Sequence, residues 1–516
     1  MPGAPLERSF IDELDRDIHS SSASSTAVFA PFTGERIHDL PVSTTEDVTD
    51  AAARARAAQS RWYAAGFDHR RRVLLRAHDL LLERRELLID ALQTETGKTR
   101  GQAFEEVFIG ASTTRYYAVS AKSVLRPRSR RAGIPLVVRT LVGYRPKGVV
   151  GVITPWNYPL SLSLFDVIPA LAAGNGVVQK ADNQGALSIL AGRRAFIDAG
   201  VPAELWAVVA GDGNEIGNAV VDAADYVCFT GSTATGKKVA ERAATTLTAA
   251  SLELGGKNPM IVLDDVDPQK AARNAVYACY ASLGQLCVSI ERIYVQRGIA
   301  EAFTKEFVAR TAALVQGPAF DFTTDVGSLT LPSQLERVQA HVADAVAKGA
   351  TVLTGGKPRP DLGPLFFEPT VLAHVTDDMD CSRTETFGPV VAITVVDTAD
   401  EAIAAANDSQ FGLNAAVFGG SIRRARRVAH LIDAGSININ EGYRATFSSV
   451  DAPMGGMKQS GIGRRNGREG ILRFVDARTV AGATGLMTLP RTGAEFAKLS
   501  GLMIVLLIVL KAIRRR

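Results

Sequence analysis

Cysteine is scarce in this sequence. Only Cys228, Cys279, Cys287 and Cys381 occur among 516 residues, widely spaced and with no Cys-x-x-Cys pair. This pattern argues against a disulfide framework and against a zinc site, and no metal is expected. Charge of one sign is equally scarce. The formal net charge is +4, with no long basic run before the last residues, which gives no reason to expect a nucleic-acid partner. The first residues carry Glu7, Asp12, Glu13, Asp15 and Asp17 and lack an apolar stretch, so no secretory signal is visible. A reducing cytoplasm fits a free reactive thiol. Long apolar runs are missing as well. Leu502–Leu510 and its neighbours make nine to twelve residues, short of the ~20 that span a bilayer. Lys511 and Arg514, Arg515 and Arg516 follow. This segment reads as a helix docked on the protein or on a neighbouring subunit. The other reading is a peripheral membrane contact through 499–516, with the arginines on anionic lipid.

What is present is length and an ordinary composition, 46% hydrophobic and 22% charged. A chain of this size divides into two or three domains. Residues 1–26 end in a Ser/Thr-rich stretch and read as a flexible arm. Ser43-Thr44-Thr45-Glu46 has the spacing of a capping box and precedes an alanine-rich helix reaching about Trp62. Leucines at helical spacing over Arg71–Leu92 predict a second helix, and a third follows Gly101. Between Gly133 and Lys147, Val137, Val138, Leu141, Val142 and Tyr144 give strand character, with an edge open to pairing with another subunit. From Gly148 to about Leu263 short apolar strands alternate with helices. That rhythm implies a parallel sheet covered on both faces, with ligands at the carboxyl ends of its strands. A second α/β stretch includes Ile293–Val295, Val390–Val396 and Ile437–Asn440.

Two glycine-flanked turns hold the candidate chemistry. Leu252-Glu253-Leu254-Gly255-Gly256-Lys257 carries a carboxylate. Gly284-Gln285-Leu286-Cys287-Val288 carries a thiol 34 positions later (287 − 253). By residue type alone Cys287 is a small buried hydrophobe. A deprotonated thiol, however, attacks a carbonyl carbon, and a nearby carboxylate can activate the water that releases the acyl group. Phe229-Thr230-Gly231-Ser232-Thr233 ends a strand and opens a helix whose N–H groups suit a pyrophosphate. Gly211-Asp212-Gly213 is a second such turn. Neither completes a Gly-x-Gly-x-x-Gly fingerprint, so spacing leaves a plain turn and a dinucleotide site both open. Asn157, in Pro155-Trp156-Asn157-Tyr158-Pro159, has the same ambiguity between a turn residue and an amide donor.

These segments, with Thr384-Glu385-Thr386-Phe387-Gly388-Pro389, resemble the signatures of the aldehyde dehydrogenase superfamily over residues 28–482. The resemblance implies an α/β fold of two Rossmann-like parallel-sheet domains plus a β-hairpin oligomerisation element. It implies Cys287 as nucleophile, Glu253 as base, and Asn157 as oxyanion donor beside the Cys287 backbone N–H. For the cofactor, NADP or NAD, it implies Ser232 at the pyrophosphate, Lys180 at the adenosine ribose, Glu385 at the nicotinamide ribose and Phe387 packed beside it. Thr154, Pro155, Trp156, Gly213, Phe229, Thr230, Gly231, Leu254 and Gly255 complete that set. Asn183 stands where many NAD-preferring relatives carry glutamate, and a neutral residue there would not repel a 2′-phosphate. Asp182 could still do so if it points inward.

The expected division is 27–132 with 148–254 for the dinucleotide, 255–457 for catalysis, 133–147 with 470–484 for oligomerisation as a homodimer or homotetramer, and 485–516 as a tail. Within the superfamily the chain is most similar to bacterial succinate-semialdehyde dehydrogenases of the NADP type, through the Cys287 turn, Asn440-Glu441-Gly442 and Ser448–Gly461. Ser449 matches the serine that helps hold the substrate's far carboxylate. The two arginines of well-known members are replaced by Phe165 and Ala281, leaving Arg444 or Arg292 as substitutes. Tyr158, Leu162, Phe165, Leu286 and Met454 make the expected entry apolar, so a medium- or long-chain or aromatic aldehyde is the second expectation. A non-catalytic scaffold would be expected to lose the nucleophile, base or oxyanion donor, and all three are present. Transfer of the acyl group to coenzyme A is disfavoured by Glu253.

Overall fold

The computed structural model describes residues 6–133, 137–486 and 489–512. The chain separates into two compact units. One comprises residues up to Ala121 together with Lys147–Phe474, and the other Lys122–Pro146 with the residues from Val475 onward.

The larger unit is built on two sheets. The first has six strands in the order Gly461–Ile462, Ala249–Glu253, Tyr226–Thr230, Val149–Thr154, Gly176–Ala181 and Trp206–Val209, parallel except for the Gly461–Ile462 edge. Its central strands are buried almost throughout because helices cover both faces. Val149 and Val178 pack with Val48, Ala51, Ala52 and Ala55 of the Thr45–Ala64 helix and with Ile216 and Val220 of the Glu215–Ala223 helix. The second sheet has seven strands in the order Thr351–Thr354, Thr370–Ala373, Val390–Val396, Ile290–Gln296, Asn258–Val262, Asn414–Phe418 and Ser436–Ile439, with only the first pair antiparallel. Strand periodicity sends Met260 and Val262 into one core and Ile261 and Leu263 into the other. The strand expected at Met260–Leu263 is the first of this second sheet in chain order. The second element at Gly461–Ile462 also returns to the first sheet after the expected end of the catalytic segment at 457.

Several local expectations are corrected. The segment 1–26 is not a loose arm where it is described. Arg8–Asp15 is a helix that buries Ile11 and Leu14, and a strand begins at Ser25. The capping box sits one residue later than its spacing suggested. Thr44 accepts from the Asp47 N–H and Asp47 accepts from the Thr44 N–H, so Glu46 is not its acid. The helix expected over Arg71–Leu92 is two helices, Gly66–Glu83 and Arg85–Thr96, interrupted at Arg84, whose backbone leaves the helical region.

The smaller unit holds a three-stranded antiparallel sheet in the order Val475–Ala483, Val138–Pro146, Arg128–Arg130. Its second long strand starts at Val475, and the residues just before it form the Gly467–Leu472 helix of the larger unit, so the expected start at 470 was too early. The apolar run near the end belongs to a 20-residue helix, Gly493–Ala512, none of whose residues is buried. Among the described residues, the docking expected of this helix does not bury any of its side chains. Arg514, Arg515 and Arg516 lie outside the described residues.

Candidate active site

The site lies where the central strand of the first sheet ends. Val149–Thr154 runs into Pro155-Trp156-Asn157, and Pro159 starts the following helix at a position where its missing N–H is harmless. The Asn157 amide donates to the Gln285 carbonyl at 2.9 Å, two residues before the thiol. From behind, the Lys98 ammonium donates to the Asn157 carbonyl at 2.8 Å, pairs with the buried Glu106 and lies 3.9 Å over the Tyr158 ring.

Cys287 follows a sharp turn. Gly284 has φ +74°, and a Cβ there would collide with the Gly388 carbonyl. The Asn258 amide then pins the carbonyls of Cys287 and Ser289 at 2.8 and 2.7 Å. Cys287 is half-buried, whereas the other three cysteines are fully buried. Burial, followed by the charges of Glu253 and Glu385, pushes its thiol up to about 12, so it is protonated at rest.

Glu253 ends the strand Ala249–Glu253, opposite Thr230 on one side and Gly461 on the other. Its Oε1 is buried and has no hydrogen-bond partner. Burial pushes its carboxyl up to about 7, against the pull of Arg465 and Arg473. Those arginines are held by one buried carboxylate, Asp166, at 2.6 Å each, and Arg465 also reaches the Thr230 hydroxyl. A carboxyl poised near neutrality can give or take a proton at working pH.

Cys287, Glu253 and Asn157 line one cleft of about 250 Å³, along with Pro155, Trp156, Thr230, Gly231, Ser232, Leu254, Gly255, Glu385 and Phe387. Pro155, Trp156, Thr230, Gly231 and Ser232 also line a second cavity, of about 860 Å³, which includes Thr154, Lys180, Gly213 and Phe229. Ser232 caps the Thr233–Thr245 helix at this junction, accepting from the Thr235 N–H at 3.2 Å, so the positive end of that helix faces the groove. Gly255 leaves room for the Glu385 carboxyl, which a Cβ there would push aside. Glu385 accepts from the Gly256 N–H at 2.8 Å, and burial next to Glu291 pushes it up to about 8. Phe387 holds a left-handed backbone (φ +54°), fixed by its N–H on Glu291 and its carbonyl on Gln334, and its ring meets Trp156 edge-on at 5.7 Å. The groove therefore fits an elongated anionic ligand, with a lysine at one end and a thiol at the other.

Asn183 is the exception among the expected cofactor residues. It lines neither cavity, because its side-chain oxygen accepts from the Gly211 N–H at 3.0 Å. Asp182, its neighbour, lines the groove instead. Ser449 is also corrected. It is exposed, and its hydroxyl donates to the Ala445 carbonyl one helical turn back.

Tyr158, Leu162, Phe165, Leu286 and Met454 do come together, in an apolar cluster with Ala281, Tyr443 and Phe447 against which Cys287 packs. Arg292 is turned away, spent on the carbonyls of Lys257, Ala405 and Ala406. Arg444 sits 4.2 Å over the Tyr277 ring, which packs on the same cluster, and pairs with Glu441 at 3.0 Å. Sequence reasoning missed Ser333, Gln334 and Arg337 of the Pro332–Ala347 helix, which line the cleft, and the Asp166–Arg465–Arg473 group under Glu253. Nothing local marks them, since each reaches the site only through tertiary contacts.

Residues 18–480 match the Aldehyde dehydrogenase family. The chain is 48% identical to a putative succinate-semialdehyde dehydrogenase [NADP(+)] of Mycolicibacterium smegmatis, over 91% of this chain and 90% of that one. It is 39% identical to the mitochondrial succinate-semialdehyde dehydrogenase of Arabidopsis thaliana, over 87% and 84%. Among solved structures, betaine aldehyde dehydrogenase of Staphylococcus aureus in complex with NAD+ superposes with a TM-score of 0.87 at 32% identity, covering 92% of this chain and 95% of that one. An NADP dependent enzyme of E. coli gives the same TM-score and identity over 90% and 96%.

Proposed function

The chain belongs to the aldehyde dehydrogenase family, and from that premise we propose that it oxidises succinic semialdehyde to succinate with NADP or NAD. Cys287 is the nucleophile, Glu253 the base, and the Asn157 amide and Cys287 N–H the oxyanion donors. Lys180, Ser232, Glu385 and Phe387 hold the dinucleotide along the two cavities. Its nicotinamide, when bound, supplies the hydride acceptor.

The Cys287 sulfur bonds to the aldehyde carbon, and its proton leaves as that bond forms. That proton passes to solvent water, so this step leaves Glu253, in the same cleft, free to act later as the base. Asn157 and the Cys287 N–H receive the charge that develops on the aldehyde oxygen. After oxidation the acyl group remains on sulfur. Glu253 then takes a proton from water, the water oxygen attacks the acyl carbon, and the acid leaves as the thiolate is restored. The carrying observation is that the one half-buried thiol of the four shares a cleft with a partnerless buried carboxyl and an amide. Glu253→Gln should give one burst of reduced cofactor and almost no steady turnover, and Cys287→Ala should give no burst. Normal turnover in Glu253→Gln would remove Glu253 from its role.

Succinic semialdehyde is supported by the names of relatives at 48% and 39% identity. An apolar or aromatic aldehyde is the second reading, favoured by the ring-lined wall of Tyr158, Phe165, Tyr443 and Phe447. The ratio of kcat/KM for succinic semialdehyde and hexanal decides between them. The open edges of the three-stranded sheet support a homodimer or homotetramer, and the free thiols support a cytoplasmic location.

A further inference from the structure

The helix Gly493–Ala512 begins beyond residue 480, where the family match ends, so it is an addition to the shared catalytic body. The helix has 20 residues, and the uncharged run Leu499–Leu510 within it rises about 18 Å, so it matches a hydrocarbon core of about 30 Å only with the lysine stems at its two ends reaching outward. At 100° per residue, the exposed Leu502, Ile504, Val505, Leu507, Ile508 and Val509 cover more than half of its circumference, and the half-buried Leu499, Met503, Leu506 and Leu510 fill the rest. The second set has the 4-3-4 spacing of a helix-pairing seam. A second copy docked there would still leave Ile504, Val505 and Ile508 in water on the opposite side. Only a medium that surrounds the helix removes the whole apolar surface.

Its ends fit the same environment. Thr492 and Glu495 cap the start reciprocally, with the Thr492 N–H on Glu495 at 3.1 Å and the Glu495 N–H on Thr492 at 3.3 Å, so these two N–H groups are satisfied from within the segment. Lys498 and Lys511 bracket the uncharged run Leu499–Leu510, and their stems are long enough to reach headgroups from within the apolar layer. Arg514, Arg515 and Arg516 add positive charge beside one of those ends. We infer that Gly493–Ala512 crosses the hydrocarbon layer of a lipid bilayer and tethers the dehydrogenase to a membrane.

The test uses the full chain and vesicles of phosphatidylcholine with anionic phosphatidylglycerol. The full chain should co-sediment, stay bound in high salt and alkaline carbonate, and leave only in detergent. A chain lacking residues 492–516 should stay in the supernatant with unchanged kcat/KM, as should Leu506→Arg, which puts a charge in mid-layer. Release by high salt would overturn the inference in favour of a surface contact. A full chain that ignores vesicles, and whose oligomer shrinks on truncation, would overturn it in favour of helix pairing.

Discussion

Glu253 keeps a buried oxygen without a partner, and the reaction explains why that is tolerated. Because burial raises its folded value to about 7, the base is protonated below that pH and charged above it. Steady turnover should therefore rise through about pH 7 while the burst in Glu253→Gln does not follow that titration. Stability carries the opposite sign. Charging Glu253 costs the folded state progressively as pH climbs from its unfolded value to about 7, and at most about 3 kcal/mol is lost above that. Glu253→Gln should melt higher than the parent at pH 8 and no higher at pH 4. Asp182 allows a second forecast at this scale. A carboxylate lining the groove near Lys180 would repel a 2′-phosphate, so Asp182→Asn should move the kcat/KM ratio toward NADP, on the order of tenfold.

At the scale of elements, what could be read from sequence was what is encoded locally. The turn at Cys287 needs glycine because Gly284 has a left-handed backbone and faces the Gly388 carbonyl, and such a requirement leaves a visible mark, while Gly255 leaves room for the Glu385 carboxyl. The strands at Val149–Thr154 and Tyr226–Thr230 showed as apolar runs because both faces of their sheet are covered. The misreadings concern where a side chain turns at the end of an element. Asn183 and Asp182 are adjacent, and the Gly211 N–H takes the first and leaves the second in the groove. Ser449 lost its expected role to a carbonyl in its own turn. Thr44, Thr45 and Ser43 offered equivalent caps, and Asp47 decided between them by also accepting from the Ser21 N–H, a contact 26 residues distant. Thr44→Ala should accordingly cost about 1 kcal/mol in denaturant unfolding without changing kcat/KM.

Over the whole molecule, two features outside the cleft bear on the proposed assembly and location. Among the described residues the strand Val475–Ala483, nine residues long, pairs on one side only and is exposed from Asp476 onward. Val480→Lys should reduce the mass of the assembly in light scattering, because a charge on a pairing edge discourages a further strand. Within the larger unit, the near-contact of Gly284 with the Gly388 carbonyl ties two loops that are 104 positions apart (388 − 284). One carries the reactive sulfur, and the other carries Glu385 and Phe387. Neither loop can be displaced toward the other without an immediate steric clash, and Asn258 and Glu291 anchor both to the same sheet. The reactive sulfur and the residues expected at the nicotinamide ribose are thus mounted on one shared frame, and their spacing is set by a single sheet.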